Sequence, residues 1–197
     1  VIGAFGGTFD PPHLGHLFLA LEAAYQLDLE RVLWVLAGDP PHKPEAPLTP
    51  ADIRLEMTQA ALAGRPGLEL SRVDLDRPGP HYAADTMRLL QAAHPGHGWA
   101  YLMGGDSLRD LPGWHEPAEF LARCDQLAVM PRPEAPIDLD ALGRALPGLG
   151  EKLRILRAPY VVLSASDLRR RVREGHPFEH LLAPEVTEVI RAHGLYR

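Results

Sequence analysis

The chain has 197 residues, with 18 glycines, 20 prolines, a single cysteine and a formal net charge of −6. That length suffices for one domain burying roughly 70% of its unfolded surface, and Cys124 alone excludes an internal disulfide or a cysteine-rich zinc module. The acidic balance argues against nucleic-acid binding, and no apolar run approaches a membrane span of ~20 residues or a signal peptide, so a cytoplasmic protein is expected.

In chain order, apolar runs alternate with helical patterns. Val1–Phe5 reads as a strand, Leu14–Leu27 as a helix and Arg31–Ala37 as a strand. Ala51–Leu62 reads as a helix, with Thr49 as N-cap, Pro50 at the first helical position and Asp52 at the third. Leu68–Leu75 is the next strand, Tyr82–Ala93 the next helix, and Gly98–Met103 and Gln126–Met130 are strands. A helix over Asp138–Leu146 and a strand over Leu153–Leu156 follow. Ser164-Ala165-Ser166-Asp167 has capping spacing ahead of Leu168–Arg173, and a helix over Pro184–His193 closes at Gly194. Most of the strands are apolar throughout, as strands covered on both faces should be. The alternation predicts an α/β fold: one domain over 1–197, a doubly wound Rossmann-like parallel sheet with helices on both faces, and a helical C-terminal part from about residue 164. Ligands of such sheets lie beyond the carboxyl ends of the strands.

The first strand runs into Gly6-Gly7-Thr8-Phe9-Asp10-Pro11-Pro12-His13-Leu14-Gly15-His16. Neither common phosphate-loop pattern is present, yet the ingredients are those of an anion site. A glycine pair lets backbone approach a ligand, and a helix N-terminus offers unpaired N–H groups. His13 and His16 share one face of the first turn and add donors expected to become cationic beside a polyphosphate. Gly15 leaves room between them for a triphosphate. A metal site is weaker, since only Asp10 could join the two histidines.

Later strand ends carry further candidates. Pro40-Pro41-His42-Lys43-Pro44 presents one of only two lysines from a rigid loop. Gly104-Gly105-Asp106 follows the fourth strand; Asp106 either accepts from a ribose or base, or caps a helix. Trp114 is either core or a stacking platform. Ser164, Ser166 and Arg169 make a second phosphate site, while Arg170, Arg171 and Arg173 cannot all share its face.

The eleven-residue stretch from Gly6 resembles the signature of the nucleotidyltransferase superfamily, and Ser164-to-Arg169 resembles its second signature. Pro-Pro-His-Lys, Gly-Gly-Asp-Ser-Leu, Leu-Pro-Gly-Trp, the His81-Tyr82-Ala83-Ala84-Asp85-Thr86 helix start and the terminal Leu-Tyr narrow the resemblance to the bacterial nicotinate-nucleotide adenylyltransferases. It covers essentially the whole chain. The resemblance implies transfer of the adenylyl group of ATP to nicotinate mononucleotide, with Mg²⁺ as cofactor, in NAD biosynthesis. It implies catalytic roles for His13, His16, Lys43 and Arg169. ATP would be bound by Gly6, Gly7, Thr8, Phe9, His13, Gly15, His16, Gly105, Asp106, Ser164, Ser166 and Arg169. The acceptor would be bound by His42, Lys43, Tyr82, Ala83, Trp114, His115 and Arg132, with main-chain N–H groups of Ala83 and His115 facing its carboxylate. His81, Ala83 and His115 depart from the usual Ser, Thr and Tyr, and Ala165 removes the middle hydroxyl of the second signature. The rivals are another adenylyltransferase of the superfamily, such as that for phosphopantetheine, and a non-catalytic nucleotide-binding module. A homo-oligomer is compatible with all of this.

Overall fold

The computed structural model describes residues 1–40, 48–131, 137–159 and 161–197. Among them, strands β1 (Ile2–Gly7), β2 (Arg31–Leu36), β3 (Leu68–Ser71), β4 (Trp99–Gly104), β5 (Gln126–Met130) and β6 (Leu153–Ile155) form one sheet. Every pairing is parallel, and the order is β3-β2-β1-β4-β5-β6. The order reverses between β1 and β4, which opens a crevice at their carboxyl ends. The helices are α1 (Leu14–Gln26), α2 (Ala51–Leu62), α3 (Ala83–Ala93), α4 (Gly105–Asp110), α5 (Pro117–Arg123), α6 (Leu139–Ala145), α7 (Leu149–Lys152), α8 (Ala165–Arg173) and α9 (Pro184–Ala192).

Alternation along the strands feeds two separate cores. Phe5, Trp34, Leu36 and Leu102 point to one face, where they meet Leu17 and Ala20 of α1, Met57 of α2 and Val186 and Ile190 of α9. Ala4, Leu33, Val35 and Tyr101 point to the other, against Met87 and Leu90 of α3 and Phe120 of α5. The crevice is therefore flanked by α1 on one side of the sheet and by α3 and α5 on the other.

Boundaries differ from the sequence reading in places that have local causes. β3 stops at Ser71, because the chain turns there, with the Asp76 N–H donating to the Arg72 carbonyl and Asp74 holding Arg77 and Thr86. The N-cap of α2 is Pro50, not Thr49. Thr49 is diverted: its N–H donates to the Asp10 carboxylate and its carbonyl accepts from Arg54. The helices α4, α5 and α7 have too few residues for a periodic signal.

Arg54 on α2 is 1% exposed. Its guanidinium donates to the carbonyls of Thr49 (2.9 Å), Thr8 (2.9 Å), Ala37 (2.7 Å) and Gly38 (3.0 Å). These carbonyls belong to the segments that leave β1 and β2 and to the entrance of α2, so one planar fork ties together three chain segments. Burial lowers the pKa of this guanidinium, and the nearby Asp10 and Tyr196 oppose that shift. Arg54→Met should cost about 3 kcal/mol or more in urea unfolding, because it removes charged hydrogen bonds and leaves their acceptors unpaired. Arg54→Lys should recover only part of the loss, since one ammonium cannot span the carbonyls.

Candidate active site

The crevice is a cleft of about 1160 Å³. One small ligand typically takes about 300–1,000 Å³, so this cleft can hold two. On the α1 side it is lined by Gly6, Gly7, Thr8, His13, Gly15 and His16, and on the α3 side by Tyr82, Ala83, Trp114 and His115, with Asp106 at the end of β4. The two groups that the sequence placed on separate loops face one another.

His13 is the N-cap of α1, and its ring stacks on that of His16 with centroids 3.6 Å apart. The His13 backbone N–H donates to His16 Nδ1 (3.1 Å). Accepting that bond puts the proton of the neutral His16 ring on Nε2. Two imidazolium charges at 3.6 Å would repel by roughly 4–5 kcal/mol at an effective dielectric of 20. Repulsion of that size works against charging both rings together and a bound polyphosphate would work for it, while the bond at Nδ1 leaves His16 Nε2–H as an oriented donor.

The glycines also have a packing reason beside the expected approach to a ligand. A Cβ on Gly6 would lie 2.6 Å from Tyr101 Oη, and one on Gly7 would lie 2.8 Å from the Phe9 ring. A Cβ on Gly15 would meet His13 Nδ1 at 3.0 Å and Leu163 Cβ at 3.4 Å. Each missing side chain makes room first for another side chain of the protein, and in that way fixes the shape of the cleft. Phe9, expected at the ATP, is 2% exposed and stacks on Trp34 (4.8 Å) in the α1-side core. Its place is underneath the loop. Gly105 is buried as the first residue of α4, behind the cleft wall that its neighbours Gly104 and Asp106 form.

Asp10 anchors the loop from inside. It is 3% exposed, its Oδ2 accepts from the Thr49 N–H (3.1 Å), and its Oδ1 accepts from Tyr196 Oη (2.5 Å). Its carbonyl accepts from Arg169 (2.8 Å), which also reaches Ser166 Oγ (3.2 Å). Arg169 and Ser166 thus stand against the first loop, joined to it rather than lining the main cleft. Ser164 caps α8 by accepting from the Asp167 N–H (3.1 Å). The Asp10 carboxylate is thus engaged from two sides by the protein itself. Arg170 and Arg171 pair with Asp167. His42, Lys43 and Arg132 lie outside the described residues.

On the opposite wall, Trp114 packs edge-on to Tyr101 and tilted against Phe120, and is partly buried. His115 stacks on Tyr82 (4.1 Å), so the imidazole completes the wall that its departure from Tyr left in question. Ala83 opens α3, where first-turn N–H groups lack intrahelical acceptors. Three residues set this geometry: Arg54, which the sequence did not single out, and Tyr196 and His81, which it singled out without these roles. Arg54 and Tyr196 hold the loop. His81, 7% exposed, accepts from the Asp39 N–H at Nδ1 (2.9 Å) and donates from Nε2 to the Arg77 carbonyl (3.2 Å). The imidazole staples the turn after β2 to the entrance of α3, which a Ser could not span.

Comparison with known proteins gives a consistent picture. The cytidylyltransferase-like family matches residues 4–171. A relative from Thermomicrobium roseum, named "Probable nicotinate-nucleotide adenylyltransferase", is 43% identical over 100% of this chain and 91% of its own length. One of the same name from Roseiflexus sp. is 42% identical over 100% of this chain and 98% of its own. Among solved structures, Plasmodium falciparum nicotinic acid mononucleotide adenylyltransferase complexed with NaAD superposes with a TM-score of 0.81 at 17% identity. The match covers 99% of this chain and 96% of that one, and it bears on the fold.

The Tyr196–Asp10 bond generates a pH-dependent expectation. Burial, and next the Asp10 carboxylate, hold the Tyr196 phenol above its ordinary value of 10.0. A group raised in the folded state contributes fully below its unfolded value and loses that contribution as pH rises. Tyr196→Phe should lower stability by roughly 1.5–3 kcal/mol at pH 7, the worth of a hydrogen bond to a charged group. In urea unfolding the gap between the two proteins should stay constant from pH 6 to about 9 and narrow above about 10.

Proposed function

We infer the reaction from the nicotinate-nucleotide adenylyltransferase family, within the cytidylyltransferase-like proteins, to which this chain belongs. The chain transfers the adenylyl group of ATP to nicotinate mononucleotide, giving nicotinate adenine dinucleotide and pyrophosphate, a step of NAD biosynthesis. The observation that carries this reading is the meeting, in one cleft, of a helix N-terminus bearing two histidines with an aromatic wall built on Tyr82, Trp114 and His115.

An oxygen of the acceptor's 5′-phosphate forms a bond to the α-phosphorus of ATP, and the bond from that phosphorus to the bridging oxygen breaks as pyrophosphate leaves. A phosphate monoester has a second pKa of about 6, so the nucleophile is ionised at neutral pH and needs no general base. The difficulty is bringing two polyanions together. The first turn of α1 and His16 Nε2–H donate to the triphosphate, and Arg169 and Lys43 supply positive charge. Mg²⁺, held by the phosphates of ATP, would neutralise part of their charge. Trp114 stacks on the pyridine ring, and the N–H groups of Ala83 and His115 donate to its carboxylate, favoured by the dipole of α3. Both substrates are soluble nucleotides, which suits an enzyme of the cytoplasm.

His16→Ala should fold normally and turn over about 10²–10³ more slowly, the usual cost of losing one charge-stabilising donor; steady-state pyrophosphate release checks it. The same assay should show a clear preference for nicotinate over nicotinamide mononucleotide. The amide NH₂ confronts N–H donors, at about 1–3 kcal/mol for each buried group left unpaired. Trp114→Ala should weaken both acceptors and leave the ratio of their kcat/KM unchanged, because stacking does not tell acid from amide.

A further inference from the structure

Tyr101 carries a hydroxyl that the protein itself does not use. The residue is 7% exposed and lines the cleft. Its ring packs edge-on against Phe120 (4.8 Å) and Trp114 (6.3 Å), a role that a phenylalanine would fill equally well. No hydrogen bond joins this hydroxyl to another described residue, and Oη is not sealed from the cleft, so it is open to a ligand there. Space has been cleared for it: the ideal Cβ position on Gly6 lies 2.6 Å from Oη, against 3.6 Å from the ring carbon that bears it. Burial pushes the phenol well above its ordinary value, with smaller contributions from Cys124 and Asp74, so the group stays protonated and able to donate.

The position of the hydroxyl indicates its partner. On β4, Tyr101 is paired with Ala4 of β1, and its side chain reaches along β1 to Gly6, at the start of the phosphate loop. Its ring stands beneath the edge of Trp114. A nucleotide whose base rests on Trp114 and whose phosphate approaches Gly6 must pass its sugar–phosphate part over this hydroxyl. We propose that Tyr101 Oη donates a hydrogen bond to the ribose 5′-phosphate part of the acceptor nucleotide, and so sets how far the attacking phosphate reaches toward the ATP side. This rests on the adenylyl-transfer reading given above.

The test is Tyr101→Phe, a change that keeps the ring and its packing. With wild-type enzyme turning over ATP and nicotinate mononucleotide, the variant should keep its thermal midpoint and its KM for ATP. Its KM for nicotinate mononucleotide should rise about 3–10-fold, the range of one neutral hydrogen bond. An unchanged acceptor KM, or a rise confined to ATP, overturns the assignment while the reaction itself stands. Failure of the wild-type enzyme to release pyrophosphate with this acceptor overturns both. A second comparison locates the hydroxyl: Gly6→Ala should destabilise the wild-type protein more than it does the Tyr101→Phe variant. An equal cost in the two backgrounds overturns the placement of Oη against Gly6.

Discussion

The Arg54 guanidinium is the interaction on which the cleft depends. Carbonyls of Thr8, Ala37, Gly38 and Thr49 converge on it from the ends of two neighbouring strands and from the start of α2. The buried charge is balanced by Asp10, whose other bonds run to Thr49 and to Tyr196. The loop after β1 is thus set from behind, by buried groups of the protein itself. Preorganisation of this kind lets donors stabilise developing charge without moving at the moment of reaction.

The sheet then divides the work. Because alternate residues of β1, β2 and β4 face opposite ways, the α1 face presents imidazoles and helix N–H groups, and the α3 face presents aromatic rings. The reversal of strand order between β1 and β4 lets the two faces meet at one point. On the α1 face the stacked histidines repel one another when both are charged, so the direction in which a ring nitrogen donates matters beside its charge. Beside this face, Arg169 is fixed on the Asp10 carbonyl.

The three glycines of the loop show how packing and function share one residue. Gly6, Gly7 and Gly15 each accommodate a ring of this protein: Tyr101, Phe9 and His13 respectively. The backbone still comes close to the cleft, but it does so because aromatic side chains have been folded in beneath and beside it. His81 works in the same way on the other bank, where two ring nitrogens with opposite roles bridge two loops.

The sequence by itself determined the alternation of strands and helices, the parallel sheet and the placing of the loop at the end of β1, because periodicity and turn chemistry act over a few residues. Element ends shifted for local reasons at β3, and through a long-range bond where Thr49 left its capping role for Asp10 and Arg54. What the tertiary structure alone decided involves partners distant in the chain. Arg54 on a helix looks like one more surface charge until the carbonyls gather round it, and Tyr196 meets Asp10 across 186 positions. The proton position on His16, the purpose of each glycine and the unpartnered hydroxyl of Tyr101 are likewise products of packing. A local pattern can announce that a glycine or a histidine is present; only the surrounding fold fixes what occupies the space or accepts the proton.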